Sequence, residues 1–243
     1  MSVCLRNGEG GYSGVSDTYM SAWAPTTNFA DAADLQVRSQ GTKRALIRFD
    51  LSHITTNAAV TEASLDLRTN YHREGTIPMV VNLYRLRRRW VESQVTWQGP
   101  ATGEAWNVPG AAAGADRDPE PIATIVLNAT NAWFGIELAE IVQEWVTDPL
   151  ENFGLLLEGE GVSLEYRFWS SDYSNVVDRP RLCLEYVLPT PTPTPTMTST
   201  HTPTATSTPT PTPTTTPTET VAPTETRTLT PTRWSIFLPI MLR

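Results

Sequence analysis

The chain has 243 residues and a formal net charge of −8, which fits one domain or two small ones. The acidity lies in residues 1–188, which carry 15 basic and 24 acidic side chains. An acidic body argues against non-specific binding to nucleic acid or to anionic membranes, because both favour a basic surface.

The first residues, MSVCLRNGEGG, contain neither the basic segment nor the apolar segment of a secretory signal. Export therefore has to be argued from other features, or the sequence is a truncated gene product.

Apolar residues of the body mostly recur at every second position. The alternating sets are Leu35 and Val37; Ala45, Ile47 and Phe49; Leu65 and Leu67; Val81 and Leu83; Ile125 and Leu127; and Leu182, Leu184 and Tyr186. The runs are short, about four to eight residues, and are bounded by turn-forming residues, which is typical of strands. Many short strands separated by turns predict an all-β sandwich or barrel.

One segment has helical spacing instead. Leu138 begins an i, i+3, i+4, i+7 apolar series that ends at Trp145. This series predicts one amphipathic helix of about three turns, ended near Asp148. We expect the helix to cap one open end of the sandwich, with Trp145 in the core.

The body contains two cysteines, Cys4 near its start and Cys183 near its end. Neither belongs to a CxxC motif, which argues strongly against a structural zinc site. Because the ends of a domain often lie close together, the pair could form a disulfide. The alternative is two free, buried thiols.

Residues 189–232 are a Thr/Pro-rich segment. Proline fixes φ and removes a hydrogen-bond donor, and the segment has little apolar surface to bury. We expect a disordered, extended stalk with the composition of O-glycosylated spacers; an unmodified linker has the same composition.

Residues 233–243 form a short apolar tail. Its apolar run, Trp234–Leu242, is too short for a transmembrane helix and contains Pro239. The ending resembles those that follow Thr/Pro spacers in exported proteins of Chloroflexi-type bacteria. It predicts a sorting or attachment signal, the alternative being an apolar end without function.

Six motifs follow one another along the body. They are GYSGVSDTYMSAWAPTTNFADAADLQVRS (11–39), KRALIRFDLSHI (43–54), AVTEASLDLR (59–68), VNLYRLRRRWVESQVTWQGP (81–100), EIVQEWVTDPLENFGLLLEG (140–159) and YRFWSSDYSNVVDRPRLCLEY (166–186). This series resembles the DNRLRE-type modules, also grouped as carbohydrate-binding module family 96 and found in disaggregatase-related surface proteins. The resemblance covers residues 5–187. It implies a jelly-roll-like antiparallel β-sandwich of extracellular proteins, some of which bind polysaccharide, including the acidic polymer alginate.

Catalytic motifs are missing from the sequence. It has no GxSxG, HExxH, P-loop or GxGxxG pattern. A polysaccharide hydrolase needs two converging carboxylates, and no spacing singles out such a pair. We therefore expect a protein that is not an enzyme.

Tryptophans are the residues that best suit sugar binding, through their flat apolar faces. Trp90, Trp97, Trp145 and Trp169 lie in strand or helix motifs and are expected in the core. The remaining three of the body, Trp23, Trp106 and Trp133, lie in turn-rich segments and are candidates for exposure. Trp23 is the best candidate platform, because Pro25 and Asn28 mark a loop around it.

Basic residues offer a site for an acidic polysaccharide, because arginine binds carboxylates with two parallel hydrogen bonds. The candidates are Arg85, Arg87 and Arg89 in one strand motif and Lys43, Arg44 and Arg48 in another. The two groups must share one sheet face to form such a site. The alternative is a set of surface arginines paired with carboxylates.

A structural Ca²⁺ ion is a further expectation, because calcium takes oxygen ligands from loops of sandwich modules. The candidate ligands are Asp17, Asp31, Asp172 and Asp178. No EF-hand spacing is present, and solubility explains the acidic residues equally well. We expect no other cofactor.

These observations favour a monomeric, non-catalytic, extracellular module that binds polysaccharide and stands on a surface stalk. One alternative is a structural or adhesive cell-surface domain without a small ligand. Another is an accessory fragment of a larger secreted enzyme. Exposed tryptophans close to arginines would favour the first of the three.

Overall fold

The computed structural model describes residues 1–73 and 77–190. This part of the chain contains eleven strands, one α-helix and three short 3-10 turns. The strands are β1 (Ser2–Leu5), β2 (Val15–Ser21), β3 (Asp34–Arg38), β4 (Lys43–Phe49), β5 (Ala59–His72), β6 (Met79–Arg85), β7 (Ala123–Leu127), β8 (Trp133–Glu137), β9 (Leu155–Gly159), β10 (Glu165–Trp169) and β11 (Arg181–Val187). The helix is α1 (Ala139–Thr147).

All pairings between these strands are antiparallel, and they build one curled sheet. One side has the order β1-β11-β5-β8, and the other has β2-β4-β9-β6-β7. The 14-residue strand β5 also pairs with β10, which pairs with β3, so it links the two sides. The prediction of an all-β, antiparallel, sandwich-like fold with one short helix is confirmed.

The main core lies between the two sides of the curled sheet. The predicted alternation holds, since Leu35, Val37 and Leu184 all point into this core. Helix α1 adds Trp145, which is buried as expected. The Gln143 side chain fixes the helix to the start of β5 by accepting a hydrogen bond from the backbone N–H of Val60 at 2.7 Å.

A second core lies on the opposite face of β4 and β9. There the segment between β6 and β7, residues 86–122, folds back over the sheet, and we call it the covering segment. Trp90 and Trp106 pack there against Leu46 and Leu156. The Trp90 indole Nε1–H donates to the carbonyl oxygen of Phe153 at 2.8 Å, which satisfies its buried polar atom. The expectation that Trp106 is exposed is wrong, because this covering segment buries it.

The chain ends of the body are joined. Cys4 on β1 lies opposite Cys183 on β11, and the two form a disulfide with a Cα–Cα distance of 4.0 Å. The described cysteines are therefore not free thiols.

Within the described residues, no helix has the length and apolar character needed to cross a membrane. The predicted stalk and apolar tail lie outside these residues, except for Pro189 and Thr190. The body–stalk boundary at residue 188 stays a prediction.

Candidate functional site

An exposed tryptophan stands at the turn that follows β2. The turn is closed by two hydrogen bonds, since the backbone N–H of Trp23 donates to Ser21 Oγ at 3.3 Å and that of Ala24 donates to the Ser21 carbonyl at 3.2 Å. Trp23 remains 62 % exposed. Burying a large aromatic side chain stabilises a protein, so a ring left this open suits a contact with another molecule.

Two cations lie against the Trp23 ring. The Arg38 guanidinium carbon is 4.7 Å from the ring centroid, and Lys43 Nζ is 5.5 Å from it. Both cation side chains are only 12 % exposed. Cation–π attraction holds the indole in place over them and leaves most of its surface open to solvent.

Glu165 on β10 fixes the positions of both cations. Its Oε2 is 3.3 Å from Arg38 Nη1 and 3.1 Å from Lys43 Nζ, and its Oε1 is 2.8 Å from Arg167 Nη2. Burial alone would raise the pKa of Glu165, but hydrogen bonds from Lys43 and Arg167 outweigh it and hold that pKa below its usual value. The cluster is thus ionised and pre-arranged at neutral pH.

A polar sheet face continues from this cluster. Lys43 Nζ donates to Gln36 Oε1 at 2.6 Å, and Arg167 pairs with Asp34 at 3.1 Å. We call Trp23, Asp34, Gln36, Arg38, Lys43, Glu165 and Arg167 the Trp23 surface. It carries three cations, Arg38, Lys43 and Arg167, against two carboxylates, Asp34 and Glu165.

Of the predicted basic residues, only Lys43 belongs to the Trp23 surface. Arg44 is buried, lies 4.9 Å from the Trp97 ring centroid and pairs with Glu158 at 3.2 Å. Arg48 lies 5.4 Å from the centroid of the buried Trp90 ring. Both therefore belong to the covered side of the sheet.

The expectation of one shared arginine face is wrong. Arg44 lies opposite Glu158, whereas Arg85 lies opposite Leu155 on the same partner strand. Positions three apart on a strand point to opposite faces. Strand β6 also ends at Arg85, so Arg87 and the exposed Arg89 follow it in the covering segment.

Arg85 and Arg87 line a cleft of about 490 Å³ beside helix α1. Arg85 is ion-paired with Glu144, and Arg87 with Asp118. Glu137 and Glu140 line the same cleft, so it holds four carboxylates and two arginines. This excess of carboxylates over arginines disfavours the binding of an acidic polymer in the cleft.

Three of the predicted calcium residues interact with one another around the buried Asp17. Asp17 accepts hydrogen bonds from the backbone N–H of Ser171 at 2.8 Å and from Ser171 Oγ at 3.0 Å. Burial raises the pKa of Asp17 to about 7; Ser171 opposes this rise, and the charges of Glu92 and Asp172 add to it. Burial and the charge of Asp31 likewise raise the pKa of Asp172.

The structure does not gather the four predicted calcium residues into one carboxylate cluster. Among the described residues, no group of three or more carboxylate, histidine or cysteine side chains is placed to hold a metal ion. Both Asp17 oxygens already accept from Ser171, and Glu92 Oε1 accepts from the Asp17 backbone N–H at 2.6 Å. Asp178 is ion-paired with Arg68 instead. Calcium binding stays a prediction.

Sequence reasoning missed Arg38, Gln36, Glu165 and Arg167. The alternation that places Leu35 inside also places Gln36 and Arg38 on the other face of β3. The alternation in β3 could therefore have identified Gln36 and Arg38 as outward-facing candidates. Nothing in the sequence, however, indicated that β10 pairs with β3 and brings Glu165 opposite Arg38.

The family comparison covers this surface. The family model of the disaggregatase related repeat domain matches residues 17–184, more than half of the chain. No curated protein matches the chain significantly. The matched range includes Trp23, Arg38, Lys43 and Glu165. The chain belongs to the disaggregatase related repeat domain family.

Proposed function

We propose that this protein is a non-catalytic, extracellular module that binds polysaccharide through the Trp23 surface. One observation carries the proposal: the Trp23 ring is 62 % exposed and rests on Arg38 and Lys43. A flat apolar ring beside hydrogen-bonding groups matches a pyranose, which has apolar faces and a polar rim.

An acidic polysaccharide suits the Trp23 surface best. Its three cations exceed its two carboxylates, and its arginines retain donors that can bind a carboxylate. A uronic-acid chain would therefore stack on Trp23 and place carboxylates near Arg38 and Arg167. Because charge attraction contributes, salt should weaken the binding.

Two observations support an extracellular location and the finer family assignment. The Cys4–Cys183 disulfide suits an oxidising compartment, since disulfides are rare in the cytosol. The six ordered motifs support the finer assignment, because their series resembles DNRLRE-type modules of carbohydrate-binding module family 96. The Thr/Pro-rich segment would then act as a stalk.

The leading alternative is a structural or adhesive surface domain without a sugar ligand. It predicts that Trp23 can be replaced without effect on polymer binding. An accessory fragment of a larger secreted enzyme would keep the binding activity and differ only in its genomic context.

Replacing Trp23 by alanine is expected to weaken binding to alginate about tenfold or more. A buried aromatic anchor contributes about 2 kcal/mol to an interface, and 1.4 kcal/mol is a factor of ten. The measurement is gel-affinity retention of the full chain on alginate, with chelator present and at two salt concentrations. Trp23→Phe should retain most of the affinity, because it keeps a flat ring.

The matched control is Leu150→Ala, which removes an 84 % exposed apolar side chain outside the Trp23 surface. It should bind as the wild type does. Equal retention of wild type and Trp23→Ala would show that the polymer binds at another part of the protein surface. Absence of wild-type retention on alginate and on neutral polymers would leave the structural or adhesive alternative.

A further inference from the structure

A second exposed tryptophan stands on the other side of the curled sheet. Trp133 on β8 is 40 % exposed, and Gly135 and Glu137 share its outward face. Across the pairing with β5, Gly135 lies opposite Asp66 and Glu137 opposite Ser64. We call Ser64, Asp66, Trp133, Gly135, Glu137 and Arg181 the Trp133 face.

Gly135 leaves the centre of this face bare. A Cβ there would lie 3.1 Å from Asp66 Oδ1 and 3.3 Å from Ser64 Oγ, so even a methyl group would crowd these polar atoms. Gly135 does not have a positive φ angle, so a left-handed backbone conformation does not explain why glycine stands here. Glycine weakens a strand, and inside one it often marks a close approach by a ligand.

Polar groups suited to sugar hydroxyls surround the bare position. Arg181 Nε donates to Asp66 Oδ2 at 2.7 Å, and Ser64 Oγ donates to Asp66 Oδ1 at 3.2 Å. A carboxylate has about four acceptor positions, and a guanidinium has five donors. Asp66 and Arg181 therefore keep hydrogen-bonding capacity for a ligand while each fixes the other.

Two cations hold the Trp133 ring. The guanidinium carbons of Arg181 and Arg6 lie 5.4 Å and 6.0 Å from its centroid. This repeats the arrangement at Trp23, where two cations also support an exposed indole.

The charge balance of this face differs from that of the Trp23 surface. The arginines on and beside this face are matched one to one, since Arg181 pairs with Asp66, Arg68 with Asp178, and Arg6 with Glu9. Glu137 then adds a negative charge, and it also lines the acidic cleft beside helix α1. An acidic polymer would be repelled here, whereas an uncharged one would not.

The face is long enough for a short stretch of polymer. From Trp133 to Glu137, β8 extends about 13 Å at 3.3 Å per residue. At its Glu137 end the face borders two hollows, both lined by Glu137. One is the cleft of about 490 Å³ beside helix α1, and the other is a hollow of about 160 Å³ beside Cys183.

We infer that the Trp133 face is a second polysaccharide-binding surface, which takes an uncharged chain, and that the module can join two different polymers. The inference rests on the proposed function in that both surfaces bind polysaccharide. Trp133 stacks on a sugar ring, Gly135 gives room for the next unit, and Asp66 and Arg181 bind its hydroxyls.

The test uses the full chain on insoluble glucan, immobilised mannan and alginate, with Trp133→Ala, Gly135→Val and Trp23→Ala. We expect the wild type to bind at least one neutral polymer. Trp133→Ala and Gly135→Val should each weaken that binding at least tenfold while retaining alginate binding. Trp23→Ala should weaken alginate binding at least tenfold while retaining neutral-polymer binding. Trp133→Phe should retain most of the neutral-polymer affinity.

A bridging measurement tests the two surfaces together. Wild-type protein bound to the neutral polymer should capture soluble labelled alginate, and either tryptophan-to-alanine variant should abolish the capture. Leu150→Ala, with an unchanged unfolding midpoint, is the control for both measurements. Alginate binding without any neutral-polymer binding, or neutral binding that survives Trp133→Ala, would overturn this inference and leave the proposed function intact. Binding to no polymer would contradict both this inference and the proposed function.

Discussion

Replacing both cysteines of the Cys4–Cys183 disulfide by serine is expected to lower the free energy of unfolding by about 3–5 kcal/mol. The bond joins residues 179 positions apart, so it closes almost the whole body into one loop. A cross-link of this length restricts the unfolded chain strongly, which raises the free energy of the unfolded state. Serine suits both positions, because neither cysteine is buried.

Urea unfolding of the full chain with and without reductant measures this effect. The wild type in reductant should match the double-serine variant, since both lack the cross-link. The variant itself should not respond to reductant. An unfolding midpoint that neither substitution nor reduction changes would show that the pairing of β1 with β11 stabilises the chain ends without the disulfide.

Replacing Asp17 by asparagine is expected to change how the stability of the protein depends on pH. Asp17 is fully buried, and its folded-state pKa of about 7 lies above its ordinary value of 3.8. The folded state therefore keeps a proton between about pH 4 and pH 7 that the unfolded chain loses. The stability contributed by this proton is complete below pH 4 and is lost as the pH rises through 7.

The wild type should consequently lose on the order of 2–4 kcal/mol of stability relative to Asp17→Asn between pH 4.5 and pH 8. Asparagine keeps both contacts to Ser171, because its oxygen accepts from the backbone N–H and its amide donates to Oγ. At pH 8 the variant should be the more stable protein, since it buries no charge.

Urea unfolding at several pH values, with chelator present, gives the comparison. Glu92 and Asp172 also have raised pKa values, and they remain in both proteins, so the difference reports on Asp17. Glu62→Gln is the matched control, because it removes an exposed carboxylate outside the group around Asp17. Parallel pH profiles for wild type and Asp17→Asn would contradict the expected shift.

Six of the eleven described strands and the helix could be predicted from the sequence, because local spacing determines them. Period-two runs such as Leu35 with Val37 bury one face of a strand, whatever the partner strand is. The i, i+3, i+4, i+7 series ending at Trp145 gives a helix for the same reason. Trp23 could be predicted as exposed, because turn-forming residues surround it.

The surfaces themselves depend on pairings between distant strands, which one sequence does not reveal. Trp106 has turn-rich neighbours, yet the long segment after β6 folds onto β4 and β9 and buries it. Arg44 and Arg85 both lie in strands, but register places them on opposite faces. Residues far apart in the chain come together only through the pairing of distant strands, as Trp23 does with Glu165 and Trp133 with Arg181. The sequence thus determined the elements and the inward side chains through local periodicity, whereas the charge environment of each exposed tryptophan was decided only by the tertiary pairing of the strands.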